Sequence, residues 1–411
     1  MITQADAIVI GAGAFGLSTG LHLANQGLSN VAVLDKFEPA SQTSPRAAGL
    51  FKLIQPDPVR TELVRLSIRI VLHFEEEMGV PLPVTRSGSI ILARTPTHAR
   101  LIREEAKRSE AWGVDVEMIN PREAHRRMPF LEPQNIQAAC YTPQDVYIEE
   151  PLSLLQAYRR AGERRGMQVI GNTPVTGIRL RGGEVAGVMT PQGEIDTSIV
   201  VDTAGAWAGL VADMAETFVP VAPVRHQLYI TEHVEGLRPE HPILRITDAA
   251  VYIRPCRGGL MLGAFEPDPR PFMTEIRSSD FSIDDVPLDV GVLNAMARAV
   301  EDQVPTLKGA RLQDHRGGLV TMTPDGRFLV GPVPGARGLW TATGCNVSGF
   351  SASPAVGQVL AEWITAGEPS IDLGPLQPDR FAGIALGPAQ VIARGVWQYA
   401  HFYDPEASRA A

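Results

Sequence analysis

A mixed α/β fold is predicted by three observations. A strand–glycine turn–helix–strand unit opens the chain, a second unit of the same logic lies near its end, and strands of antiparallel type alternate between them. Two distant βα units imply one parallel sheet assembled from both ends of the chain, with an antiparallel sheet inserted between them. At 411 residues the chain is long enough for one large or two intimate domains.

The first unit spans residues 7–35. Ala7–Ile10 is a short apolar strand, and Gly11, Gly13 and Gly16 follow as GxGxxG. Leu17, Leu21, Leu23 and Ala24 give an amphipathic helix ending near Gly27, and a second strand, Val31–Leu34, leads into Asp35. Gly11 allows the tight turn, Gly13 lets backbone approach a pyrophosphate, and Gly16 lets helix and strand pack closely. The helix N-terminus offers free N–H groups to phosphates. Asp35 accepts from a ribose 2′-hydroxyl and repels a 2′-phosphate, which disfavours NADP. This is a Rossmann-like dinucleotide unit; the motif by itself leaves NAD and FAD open. The run from Ala7 to Ala24 is no membrane span, because it holds four glycines with Ser18, Thr19 and His22, where a span needs about 20 mostly apolar residues. Asp6 is the first charged side chain, so a signal peptide is not expected.

Residues 39–58, "PASQTSPRAAGLFKLIQPDP", are small and polar with Arg46 and Lys52, which suits a ligand-facing loop. Residues 59–80 read as one helix with Leu63, Leu66, Ile70, Phe74 and Met78 toward the core. Strand 87–94, a charged helix over 96–112 and a short helix from 121 follow, then a turn at 145–151 into a helix over 152–165. A strand and loop over 167–178 and a hairpin over 183–195 come next. Residues 198–208 form a buried parallel strand ending in small residues, where backbone can approach a ligand. Residues 224–232 and 250–265 alternate as antiparallel strands, 323–333 reads as a hairpin, and 339–364 repeats strand, glycine turn and helix.

Net charge is −9 and no basic run is present, which argues against a nucleic-acid partner. Cys140, Cys256 and Cys345 lie far apart with no CxxC pair, so neither a metal site nor a disulfide framework is expected, and a cytoplasmic setting fits.

Taken in order, "VIGAGAFG", "TSPRAAGL", "RSGSIILA", "NTPVTGI", "VDTAGAWA", "PVRHQLYITE", "GGLMLGAFEP", "TPDGRFLVGPVPG", "GFSASPAVGQVLAEWI" and "PSIDLGPLQPDRF" resemble the D-amino acid oxidase superfamily of flavin amine oxidoreductases. Within it, the likeness is greatest to the flavin half of dimethylglycine and sarcosine dehydrogenases, and it covers residues 5–380. The resemblance implies FAD, with contacts from Gly11, Gly13, Ala14, Phe15 and Gly16, from Asp35 and Lys36, and from Ser44, Arg46, Ala47, Ala48 and Gly49. It adds Val175, Ala204, Gly205 and Trp207, and finally Gly344, Asn346, Val347, Ser348, Gly349 and Phe350. It implies an FAD domain from 1–85, 145–220 and 310–380, a substrate domain from 86–144 and 221–309, and a C-terminal tail over 381–411. It also implies the reaction: the carbon next to the nitrogen of a secondary or tertiary amine or an amino acid gives a hydride to flavin N5, and the imine hydrolyses.

Four departures from the family pattern stand out. Arg46 replaces the histidine, and Gly318 the cysteine, to which relatives attach their flavin, so FAD is expected to be non-covalent. Met261 stands where monomeric sarcosine oxidase has an oxygen-activating lysine, which favours an acceptor other than oxygen. Val320 stands where glycine and D-amino acid oxidases have a carboxylate-binding arginine, with Arg316 four residues earlier. The folate-binding half of the large dehydrogenases has no counterpart in these residues.

The candidate catalytic side chains are Tyr252 and His226 on neighbouring strands, Arg46 beside the ring, and Lys52, Arg254 and Arg316 as anion grips. Tyr252 and Arg254 alternate and share a sheet face. A second reading makes the chain the flavin-binding subunit of a hetero-oligomeric amine- or opine-type dehydrogenase. Its docking surface would be the aromatic tail, with Trp397, Tyr399, Phe402 and Tyr403; a partner subunit or electron-acceptor protein would bind there.

Overall fold

The computed structural model of the chain describes residues 2–404. Ala7–Ile10 is apolar at every position and lies inside a six-stranded sheet, buried on both faces. Across that sheet the order is Leu329–Pro332, Leu339–Thr343, Val200–Asp202, Ala7–Ile10, Val31–Leu34 and Gln168–Ile170, parallel except at the Leu329–Pro332 edge. Ala7, Val9, Val31 and Val33 face the helices Ala14–Asn25, Pro151–Glu163 and Gly349–Ala366. Ile8, Ile10, Ala32 and Leu34 face a three-stranded antiparallel sheet, Gly177–Arg181, Glu184–Thr190 and Gly193–Asp196. The two-residue period of the strands thus divides one apolar run between two cores.

The first helix differs from the amphipathic one expected. Ala14 through Ala24 are all buried, because the Pro151–Glu163 and Gly349–Ala366 helices cover the side turned away from the sheet. Gly16 approaches the preceding turn so closely that a Cβ there would lie 1.8 Å from the Gly11 carbonyl oxygen. The helix expected over 59–80 breaks at His73 into Pro58–Leu72 and Phe74–Met78.

The second large sheet has eight strands in the order Leu312–Met322, Ala222–Thr231, Gly259–Ala264, Val251–Cys256, Ile243–Ile246, Ser89–Ala93, Ala138–Thr142 and Glu117–Ile119. Its pairs are antiparallel except Ile243–Ile246 with Ser89–Ala93. Two expectations are corrected here. Leu312–Met322, placed by sequence in the dinucleotide part, belongs to this sheet, where it pairs with Ala222–Thr231 along nearly its whole length. Residues 323–333 are a turn but not a hairpin: the chain leaves the eight-stranded sheet at Met322 and enters the other at Leu329, whose partner is Leu339–Thr343.

The helix Pro388–Ala400 returns across the strands Ala222–Thr231 and Leu312–Met322. Residues 405–411 of the expected tail lie outside the described residues. Among the described residues no helix is long and apolar enough to cross a membrane.

Candidate active site

The first helix begins at a cavity of about 330 Å³ bordered by Gly11, Gly13, Ala14, Phe15, Asp35, Lys36, Ser44 and Ala47. Val175, Ala204, Gly205, Trp207, Val347, Gly349 and Phe350 complete the lining residues named from sequence. Gly13 gives the helix no capping side chain, and the Ser44 hydroxyl accepts the Ala14 N–H at 3.1 Å. The helix thus turns its positive dipole end to the cavity. Asp35 accepts from the Ala12 and Phe37 N–H groups at 2.6 and 2.8 Å, yet burial raises its carboxyl to about 6. Two buried polar atoms at this cavity, Trp207 Nε1 and Thr343 Oγ1, find no partner among the described residues. A helix end whose N-cap has no side chain, a carboxylate at the tip of the second strand and unpaired polar atoms fit a dinucleotide. Gly16 and Gly344 border neither this cavity nor the next; they shape the two glycine turns.

A second cavity, of about 210 Å³, shares Thr43, Ala47, Val320, Val347 and Phe350 with the first. It lies against the eight-stranded sheet and is bordered by Ala48, Gly49, Lys52, His226, Arg245, Tyr252 and Phe265, and by Asn346 and Ser348. Asn346 and Val347 hold left-handed backbone, at φ 40° and 66°. For a β-branched residue this conformation is unusual and costs energy, and such strain concentrates at functional sites. The Asn346 side chain steadies the turn, accepting the Thr323 N–H at 3.1 Å and donating to the Gly344 carbonyl at 2.6 Å.

The sheet wall is built by register. Arg245 stands opposite Tyr252, and Tyr252 opposite Gly263. A Cβ on Gly263 would lie 2.1 Å from the Tyr252 ring, so its absence lets the tyrosine lie across that strand to reach His226. His226 Nε2 is 2.9 Å from the Tyr252 hydroxyl, and Nδ1 is 2.7 Å from that of Tyr399. Burial lowers the His226 pKa to about 4, so the ring is neutral at pH 7, and burial raises the Tyr252 hydroxyl above its ordinary value. Arg245 is 7% exposed; it donates from Nη1 to the Tyr403 hydroxyl at 3.3 Å, while its Nε has no partner among the described residues. Buried Asp145 accepts from the Leu53 N–H and the Ser89 hydroxyl; burial raises it to about 6 against the pull of Arg245 and Lys52.

Lys52, His226 and Tyr252 therefore meet in one cavity, and three other candidates do not. Arg46 turns away to the Ser41 and Gln42 carbonyls and to Asp284 in the turn Ile283–Asp285. Arg254 shares the Tyr252 face but lies fully buried under the loop, donating to the carbonyls of Ala48, Glu149 and Pro255. Arg316 reaches the Ala47 carbonyl at 3.4 Å and Glu150 at 3.6 Å. Neither arginine borders either of these two cavities, and both donate to carbonyls of the 47–49 loop. Met261 is fully buried among Leu228, Ile230 and Cys256.

Sequence reasoning missed Arg245 and read the tail aromatics as a docking surface. Arg245 is a lone cation inside the apolar strand Ile243–Ile246, a pattern that on its own marks a buried functional charge. The tail is no exposed docking surface: Tyr399 and Tyr403 are buried, and Phe402 stacks on Phe265 with centroids 4.2 Å apart. Trp397 alone of those four stays exposed, at 40%.

Comparison with known proteins agrees with this architecture. Human mitochondrial sarcosine dehydrogenase is 32% identical over 92% of this chain and 42% of its own length. Mouse mitochondrial dimethylglycine dehydrogenase is 31% identical over 92% and 44%. The chain thus spans less than half the length of these relatives. Sarcosine oxidase subunit beta of Rhizobium meliloti is 25% identical over 92% of this chain and 88% of its own. L-proline dehydrogenase from P. horikoshii shares the fold, with a TM-score of 0.83, 24% identity and coverage of 93% and 98%. The DAO family, described as FAD dependent oxidoreductase, matches residues 6–363, and the chain belongs to that family.

Proposed function

We propose that the chain oxidises the C–N bond of a small secondary or tertiary amine or amino acid of the sarcosine or dimethylglycine type, with FAD held non-covalently across the two cavities. The observation that carries this reading is the continuity of the dinucleotide cavity with a second cavity walled by His226, Tyr252, Arg245 and Lys52.

FAD, when bound, supplies the two-electron acceptor. The chain does the rest. Arg245 and Lys52 hold the substrate carboxylate, and a forked guanidinium with an unused donor suits it. Phe265, Phe402 and Tyr403 exclude water from the same space. The His226 ring, kept neutral by burial, adds no charge to this space, which favours an unprotonated amine, the form that gives up a hydride. The two helix N-termini at Ala14 and Gly349 favour negative charge on the bound cofactor.

The match to sarcosine oxidase subunit beta favours a second reading, a flavin-binding subunit that needs a partner. One experiment addresses both: the purified FAD-loaded chain is mixed anaerobically with a panel of N-methyl and D-amino acids, then given an artificial electron acceptor. Flavin bleaching and steady turnover by the chain alone are expected. Bleaching without turnover supports the subunit reading. No bleaching by any amine, in a protein that dithionite reduces, overturns amine oxidation.

A further inference from the structure

Phe402 and Tyr403 of the C-terminal segment border the substrate cavity, and Tyr399 reaches the His226 in its wall. Tyr403 accepts from Arg245, Phe402 stacks on Phe265, and Tyr399 meets His226. The Tyr399 contact decides more than packing. A neutral imidazole has one N–H and one bare nitrogen, and which is which follows from its partners. Tyr399 is fully buried and does not border the cavity, and its hydroxyl lies 2.7 Å from His226 Nδ1. The Tyr399 O–H proton therefore has His226 Nδ1 as its acceptor, because a buried hydroxyl proton needs one. Nδ1 is then bare and Nε2 carries the ring hydrogen, which goes to the Tyr252 oxygen 2.9 Å away. The hydroxyl hydrogen of Tyr252 is left free to point into the cavity.

We propose that Tyr399 is a positioning residue: it fixes the His226 tautomer so that Tyr252 presents a hydrogen-bond donor to the substrate. This rests on the amine-oxidation reading and deepens it. A donor beside Arg245 recognises an anion, so Tyr252 and Arg245 together take the substrate carboxylate, and the amine lies elsewhere over the cofactor. A site with the opposite tautomer would offer the Tyr252 oxygen as acceptor and would suit an ammonium group instead.

The direct test needs no turnover. FAD-loaded protein with ¹⁵N-labelled histidine is examined by long-range ¹H–¹⁵N correlation, with His226 assigned by its loss in His226→Gln. A protonated Nε2 and bare Nδ1 are expected; a protonated Nδ1 overturns the proposal, whatever amine the enzyme oxidises. The kinetic arm uses Tyr399→Phe, which keeps the ring against Phe265. KM for a carboxylated amine rises about 10-fold with kcat nearly unchanged, and an amine without a carboxylate keeps its KM. An equal loss for both substrates overturns the positioning role. Failure of every amine to bleach the flavin, with the Nε2–H tautomer observed, removes the reaction and leaves the hydrogen-bond chain standing.

Discussion

Arg245 and Tyr252 stand directly opposite each other on adjacent antiparallel strands, so both side chains enter the same cavity from one sheet face. Directly opposed residues are the nearest side-chain neighbours a sheet provides. Here the pair joins a cation with an unused donor to a hydroxyl tied to a neutral histidine.

The Arg245 guanidinium is expected to bind the substrate carboxylate. Hydrogen bonds to charged groups contribute about 1.5–3 kcal/mol, so Arg245→Met raises KM for a carboxylated amine about 10- to 150-fold. Arg245→Lys recovers only part of this, because the fork is lost. Steady-state kinetics with saturating FAD provide the check. An unchanged KM in Arg245→Met would move the carboxylate grip to Lys52.

Arg254 is expected to matter for folding and not for recognition. It is fully buried with three carbonyl acceptors and a centroid distance of 4.5 Å to the Tyr147 ring. Arg254→Met removes the donor from three carbonyls, one buried and two partly buried, at about 1 kcal/mol each. The midpoint of thermal unfolding should drop clearly, while KM of the remaining folded enzyme stays within about twofold. A selective rise in KM at unchanged stability would restore the anion-grip role expected from sequence.

The contrast between these two arginines shows how far the residues could be read in advance. Ala7–Asp35 was legible because each requirement of a dinucleotide turn is local: apolar strand, glycine spacing, helix, acid. His226 and Tyr252 were legible as chemistry on neighbouring strands. Arg254 was not, because alternation places it on the correct face but cannot say that the 47–49 loop covers it. Arg46 failed similarly: its neighbours Ser44 and Ala47 border the cavities while its own side chain turns out to Asp284. The tail was hardest. An aromatic cluster reads alike whether it docks a partner or folds home, and only the long-range contact of Tyr399 with His226, 173 residues away, distinguishes them.

FAD is expected to leave the protein on acid or heat precipitation. Arg46 lies off both cavities and Gly318 has no side chain to attach one. Flavin fluorescence is measured in the supernatant and in the pellet. Fluorescence retained by the polypeptide would point to Cys345, which borders the dinucleotide cavity as a free thiol.

Asp35 holds its own turn through Ala12 and Phe37 and also borders the cavity. Asp35→Ala should weaken FAD binding by about 1.5–3 kcal/mol, through loss of charge-assisted bonds. Turnover at saturating FAD should be nearly unaltered. Titration of the apoprotein followed by flavin fluorescence measures the first, and unchanged affinity would remove Asp35 from the ribose site.

The last prediction concerns acid stability. His226 titrates near 4 in the fold because burial disfavours its charged form, and near 6.5 once unfolded. Between those values the unfolded chain binds a proton that the folded chain does not, so this group's contribution to stability rises with pH up to about 6.5 and is lost as pH falls toward 4. At pH 5 the loss is about 2 kcal/mol, from about 1.36 kcal/mol per unit. His22 acts in the same direction. Asp35 and Asp145 act oppositely: both are raised to about 6, so the folded state takes their protons first and gains stability as pH falls below 6. The wild-type profile between pH 7 and 5 is therefore flattened by opposing terms, and His226→Asn removes one of them. Urea unfolding of FAD-saturated protein at both pH values should show the variant about 2 kcal/mol less acid-sensitive than wild type. Equal acid sensitivity would mean that His226 titrates alike in the folded and unfolded protein, so that at pH 5 it would add a third cation to Arg245 and Lys52 in the cavity.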